Sequence, residues 1–171
     1  VLVSVQVPGV SDADHTAHVA ELGRLVHTLG YEVVATVNQK RQGVGSGTVL
    51  GSGKLKELAR LTGGPGVVAS GAAHRTSKAK AKWEADETDE EPEQPQPPLD
   101  PERKPSVVVV DHELSPSQLH NLEKATGLPV LDRTGVIVDI FHRHAKSREA
   151  RLQVEIARLN YLAPRLREAA G

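Results

Sequence analysis

The chain has 171 residues and a formal net charge of -1, with 38% hydrophobic residues, only 2% aromatic ones and neither cysteine nor methionine. That length fits one main domain with at most a small appendage, whose core must be built from Val, Leu, Ile and Ala. The composition excludes a disulfide framework, a thiolate zinc site, a cysteine nucleophile, a uniformly basic nucleic-acid binder, and recognition of single-stranded bases by rows of aromatics.

Val1 to Val7 reads as a first strand, and no apolar run anywhere reaches the roughly 18 to 20 residues of a membrane span. The opening VLVSVQVPGV also lacks the basic flank and small-residue cleavage pattern of a signal peptide, so a soluble, cytoplasmic protein is expected. Lack of even an initiator methionine points to a piece of something longer. Ser11 precedes a helix running through Leu29, with Val19, Leu22, Leu25, Val26 and Leu29 on one face and Gly30 at the stop. Glu32 to Val37 is the second predicted strand. Lys54 to Leu61 is a short helix carrying Leu55, Leu58 and Leu61, stopped by Gly63-Gly64.

Next comes a change of composition. Glu84 to Glu93 holds seven acids and no base, and Pro92 to Pro105 contains six prolines. Such a stretch cannot bury enough apolar surface to fold, so residues 71–105 read as a disordered acidic and proline-rich insertion, basic at its start through Arg75, Lys78, Lys80 and Lys82. Beyond it, Ser106 to Asp111 (SVVVVD) is a continuous apolar run of the kind a strand covered on both faces requires. Ser115-Pro116-Ser117-Gln118 is a capping box with proline at the first helical position, and that helix ends at Gly127. Pro129 to Leu131 is the fourth strand, followed by helical sequence from Gly135 to Ala145 and a longer helix from Ser147 to Ala170. The order βαβαβαβ predicts an α/β fold: a small parallel sheet of about four strands flanked by helices, with a long C-terminal helix behind it. On that last helix Leu152, Ile156, Leu159, Ala163 and Leu166 form a coiled-coil seam, which needs a partner helix. Pro164 inside it predicts a kink or an early end.

Glycines crowd the GVGSGTVLGSGK segment, yet it is not a P-loop: Thr48 stands where the first glycine is required and Leu55 where a Ser or Thr would hold magnesium. Gly51, Ser52, Gly53 and Lys54 open a helix, where free N–H groups and the dipole favour an anion. A purely structural glycine turn explains the same residues. Asn38, Gln39, Asp111, His112 and Asp132 fall near strand ends, the default binding crevice of an open parallel sheet. Helix capping and loop hydrogen bonds are the alternative, and no catalytic residue can be assigned. Among the eight histidines, His142 and His144 lie two apart on a helix and cannot converge on one ion, so no metal site is expected. His144, Arg151, Arg158 and Arg165 recur every seven residues and, with Arg143, Lys146 and Arg148, offer a basic face suited to RNA phosphates. A solvated face paired within the helix is equally open.

Three segments, GSGKLKEL (Gly51 to Leu58), VVVVDHELSPSQLHNLEKATGLPVLDRTGVIVDIF (Val107 to Phe141) and HAKSREARLQVEIARLNYLAPRL (His144 to Leu166), resemble the N-terminal region of HflX-type ribosome-associated GTPases. The similarity covers nearly the whole chain outside the insertion. It implies an α/β N-terminal domain at residues 1–141, with residues 142–171 as the first arm of a helical hairpin whose second arm and GTPase domain lie beyond the chain. On that basis the expected partners are the large ribosomal subunit, through its rRNA, and the protein's own GTPase domain and second hairpin helix. The resemblance implies a role in splitting or recycling ribosomes, with GTP and Mg2+ bound in the absent GTPase domain and no enzyme activity in these residues. A nucleotide (ATP)-binding α/β domain, or a regulatory domain restraining the GTPase, are the alternatives. His112 stands where the family more often has a second acid.

Overall fold

A computed structural model of the chain describes residues 1–44, 47–68 and 103–169. The predicted disorder of residues 71–105 falls outside these, apart from 103–105. Four strands, β1 (Leu2–Gln6), β2 (Thr36–Lys40), β3 (Val108–Val110) and β4 (Val130–Asp132), form one sheet in the order β2-β1-β3-β4 with every pairing parallel. The helices are α1 (Asp12–Thr28), α2 (Ser52–Thr62), α3 (Pro116–Thr126), α4 (Arg133–His144) and α5 (Arg148–Ala169). The α/β architecture and the long C-terminal helix are as expected.

Strand period sorts the core into two layers. Val1, Val3, Val5, Val108, Val110 and Val130 point to one face, where Leu55 and Leu58 of α2 and Leu119, Leu122 and Ala125 of α3 cover them. The alternate residues Leu2, Val107 and Val109 meet Leu22, Val26 and Leu29 of the α1 segment and Val136 of α4 on the other face. Both faces are covered, which is why β3 needs an unbroken valine run. The chain leaves β1 towards β2 and leaves β3 in the opposite direction towards β4. With crossovers of one hand, this reversal places α1 and α2 on opposite faces and makes the β1–β3 boundary the topological switch point.

Helix ends follow local chemistry. Ser115 accepts from Gln118 N–H while the Gln118 side chain accepts from Ser115 N–H, so the capping box is complete. Gly63 and Gly127 take left-handed φ values of 82° and 69° at the ends of α2 and α3. Between these two ends Gly64 lies so close to the Thr126 backbone that a Cβ would sit 2.3 Å from its carbonyl carbon.

The second strand departs from expectation. Pairing runs from Leu2↔Thr36 to Gln6↔Lys40, so the strand is TVNQK and begins near the end of the predicted Glu32–Val37. As an edge strand it alternates buried Val37 with polar neighbours, whereas the more apolar Val33-Val34 lies on the approach to it and Val33 is 38% exposed. Asn38 and Gln39 are therefore inside β2 rather than beyond its end. Pro164 neither ends α5 nor prevents its continuation to Ala169.

Candidate functional site

At the carboxyl ends of β1 and β3 lies a crevice of about 340 Å3, at the switch point. Ser4, His15, His18, Glu21, Asp111, His112 and Arg133 line it. Each polar group has a structural reason to point there. Ser4 interrupts the apolar alternation of β1 and is buried, so its hydroxyl needs a partner and finds His15 Nε2 at 2.8 Å. His15, His18 and Glu21 are spaced by three along α1 and share one side of it. His112 Nε2–H donates to Val5 O at 2.8 Å, which fixes the ring across β1 and β3. Asp111, just past β3, accepts from Arg133 Nη1 at 2.8 Å, while Arg133 Nη2 donates to Glu21 at 2.7 Å.

The charges follow from these contacts. Arg133 holds the Glu21 carboxyl below its ordinary range by hydrogen bonding and Coulomb attraction. The Arg133 guanidinium is pushed up in turn, chiefly by its bond to Glu21. Burial pushes His15 below the ordinary imidazole range, with His112 and His18 acting in the same direction and Asp111 and Asp12 opposing. The crevice thus combines a neutral histidine–serine pair with an arginine held between two carboxylates. Sequence reasoning located Asp111 and His112 but missed Ser4, His15, His18, Glu21 and Arg133. The break in β1 hydropathy at Ser4 is the signal that was available.

The remaining predicted residues are scattered. Gln39 turns its side chain to the start of α2, where Gly51 N–H donates to Oε1 at 2.9 Å. One of the helix N–H groups suggested for an anion is therefore already satisfied, and Lys54 Nζ is 2.8 Å from Glu57. Asp132 lies on the α5 side of the sheet, fully buried, and does not face the crevice with Asp111 and His112. Its Oδ1 accepts from Gly135 N–H and from the Tyr161 hydroxyl, each at 2.8 Å. Its Oδ2 accepts from Leu114 N–H at 3.1 Å and from Arg165 Nη2 at 2.9 Å.

Arg165 is thereby removed from the expected basic stripe. Its guanidinium lies 3.5 Å from the centroid of the Tyr161 ring and its side chain is only 14% exposed. A seven-residue repeat drifts about 20° per heptad on a straight helix, and the long Arg165 side chain reaches inward to a buried carboxylate. His144 drops out as well, because α4 ends there and α5 starts anew at Arg148, preceded by Ser147, whose hydroxyl accepts from Ala150 N–H. Arg143 Nη1 donates to Leu29 O at 2.7 Å, tying α4 to the negative end of α1. Arg151 reaches back to Ala145 O. Lys146, Arg148 and Arg158 make no hydrogen bond or ion pair among the described residues. On the same helix Leu152, Ile156, Leu159 and Leu166 are 56–65% exposed. The described residues bring no three His, Cys, Asp or Glu side chains together as a metal site, and no described helix is long and apolar enough to cross a membrane.

Residues 16–69 and 99–142 match the family described as GTP-binding GTPase N-terminal, and residues 144–171 match the GTP-binding GTPase Middle Region. The chain belongs to the family of HflX-type GTPase N-terminal regions. It is 63% identical over its full 171 residues to the GTPase HflX of Gluconacetobacter diazotrophicus, and 36% identical over 97% of its length to that of Alkalihalophilus pseudofirmus. The chain spans 38% and 30% of the lengths of these two relatives. Among solved structures, a GTP-binding protein from the archaeon Sulfolobus solfataricus in complex with GDP superposes with a TM-score of 0.53 at 19% identity, covering 99% of this chain and 39% of that one. A second structure, of SsGBP with GDP, gives 0.55 at 21% identity over 98% of this chain and 36% of that one. These likenesses establish the α/β fold with its trailing helix, which places the HflX-type motifs on α2, β3, α3, β4, α4 and α5.

Proposed function

We propose that this chain is the ribosome-facing module of an HflX-like GTP-binding protein, which works in the cytoplasm, docks on the large ribosomal subunit and helps to split or recycle ribosomes. One observation carries it: α5 leaves a leucine and isoleucine seam in solvent beside basic side chains that the fold does not use. The seam is the surface on which the second hairpin helix would lie, with residues 1–141 as the α/β domain and 142–171 as the first arm. Lys146, Arg148 and Arg158, together with Arg151 once it gives up its bond to Ala145 O, would then neutralise rRNA phosphates and set orientation. GTP and Mg2+ belong to the GTPase domain of the longer protein, whose nucleotide state would control docking. Co-sedimentation of the chain with purified large subunits over a salt series tests this. Binding that weakens with salt and is lost in Arg151→Glu with Arg158→Glu is expected; unchanged binding in that variant rejects the RNA face.

A second reading, nucleotide binding by the α/β domain, is favoured by the position of the crevice at the switch point. Calorimetry with ATP and GTP decides it. Binding lost in Arg133→Gln and retained in Lys54→Ala would place the nucleotide in the crevice, and absence of any heat would remove this reading.

A further inference from the structure

Two consecutive residues, Asp132 and Arg133, face opposite ways, one towards α5 and the other into the crevice; α5 is otherwise tied by polar contacts of Arg165 Nη2 with Leu114 O at 3.2 Å and of Glu155 with His142 at 3.8 Å. Asp132 closes β4 and caps α4, and its buried carboxylate receives Tyr161 and Arg165 from α5. Arg133, the first residue of α4, reaches into the switch-point crevice and bridges Asp111 and Glu21. We propose that this dipeptide is a relay: Asp132 latches α5 to the α/β domain, Arg133 anchors the same backbone to the crevice, and rearrangement of the crevice changes the direction of α5.

The latch is built for that role in three respects. First, it is polar where the rest of the domain is apolar. The seam residues Leu152, Ile156 and Leu159 stay in solvent, so the amino-terminal half of α5 gains little from burial against the α/β domain. Its direction therefore depends strongly on how the carboxyl-terminal half is held. Second, the fit of Tyr161 is tight and specific. A Cβ at Gly135 would come within 2.5 Å of the Tyr161 hydroxyl, so the glycine after Thr134 is what lets the phenol reach Asp132. Burial and the adjacent carboxylate push the Tyr161 hydroxyl far above its ordinary pKa, which keeps it a donor. Third, the latch is incompletely satisfied. Arg165 Nε is buried with no hydrogen-bond partner among the described residues, a desolvation cost carried by the latched state that offsets part of its stability. Because the Asp132 and Arg133 side chains leave adjacent α-carbons, a shift of the Arg133 backbone that follows the loss of its bonds to Asp111 and Glu21 would carry the Asp132 carboxylate with it. From Val136 onwards α4 is held by that residue in the core and by Arg143 on Leu29 O, so the stretch Asp132 to Thr134 is the part left to respond.

The chain has no cysteine, so two introduced ones, Lys124→Cys on α3 and Gln153→Cys on α5, can carry nitroxides for pulsed electron-spin distance measurements. Three variants are compared in that background. Tyr161→Phe with Arg165→Gln removes the latch from the α5 side and leaves the α/β core untouched. Arg133→Gln removes the relay, and Glu21→Gln loosens it from a half-exposed position with little risk to folding. Far-UV circular dichroism and the thermal transition confirm that each remains folded. The proposal expects a broadened, shifted distance distribution in the latch variant and a shift in the same direction, smaller for Glu21→Gln, in the other two. A native distribution in the latch variant would mean that apolar packing holds α5, and overturns the proposal. A broadened distribution there with native ones in both Arg133→Gln and Glu21→Gln would leave a local clasp with no relay, and overturns it equally.

Discussion

Leu58 on α2 and Leu159 on α5 are the same side chain on helices of one chain, yet the first is fully buried and the second is 56% exposed. Around Leu58 the physics is that of a finished domain. β1, β3 and β4 present apolar residues to both faces and β2 presents Val37 to one, four helices cover them, and the helix ends are closed by Ser115, Gly63 and Gly127. Around Leu159 it differs: among the described residues nothing covers the leucine seam of α5, and the helix is tied down by a carboxylate, a phenol and a guanidinium. The contrast separates what makes this chain fold from what equips it to act. The core of the α/β domain is closed by its own helices, whereas an apolar helix face left in water offers a surface on which a partner could pack.

The strongest way to break this comparison is to truncate the core. Leu58→Ala or Leu122→Ala should cost about 2–5 kcal/mol in urea unfolding, because both side chains are fully buried and the sheet cannot collapse into the gap. A loss below about 1 kcal/mol would show that the α2–α3 layer is not close-packed. Gly64→Ala should follow at about 1–3 kcal/mol, since the new Cβ meets backbone atoms of Ala125 and Thr126 that no side-chain rotation can clear. Ser115→Ala should cost about 1 kcal/mol through loss of one half of the capping box.

How much of this was legible in the sequence depends on the range of each interaction. The SVVVVD run, the SPSQ box and the glycine stops are decided within a few residues, and each appears in the structure where the residues place it. The second strand was read too early because Val33-Val34 outweighs TVNQK by hydropathy, although an edge strand needs only one buried side chain in alternation. At the crevice, Asp111 and His112 were visible as residues past a strand, but His15 and Glu21 look like any solvated positions on α1 until Arg133 arrives, 112 residues from Glu21 along the chain. Asp132 illustrates the limit best. Its local role as the cap of Gly135 N–H fits the alternative of helix capping, while its bonds to Tyr161 and Arg165 span 29 and 33 residues and leave no periodic trace. The arginine repeat misled for the same reason, because periodicity records which side of a helix a residue leaves but not where a long side chain goes.

Smaller effects sharpen the comparison further. Burial holds His15 below the ordinary imidazole value of 6.5, so between that value and its folded pKa the native state binds fewer protons than the unfolded chain. The stability contributed by the neutral ring is full above the unfolded pKa and is lost as the pH falls towards the folded one, with no further loss below it. Thermal midpoints measured from about pH 7.5 down to about pH 5 should therefore decline more steeply in the native chain than in His15→Gln. Equal slopes would mean that the Ser4–His15 pair is not protonation-sensitive.

The smallest effect on stability is also the one that bears most directly on function. Leu152→Gln with Leu159→Gln should leave the unfolding free energy of the chain within about 0.5 kcal/mol, because both side chains are already in water in the folded state. The same two substitutions in a longer form that carries a second hairpin helix should be far more costly, as each leucine would then be buried in a coiled-coil interface. Urea unfolding of both lengths, with and without the substitutions, is the measurement. A large loss in the short chain would mean that α5 already uses its seam, and a negligible loss in the long one would mean that the seam is kept for a different surface. Near-silence in one and a penalty in the other would show that the interface left open around Leu159 is closed by the protein itself.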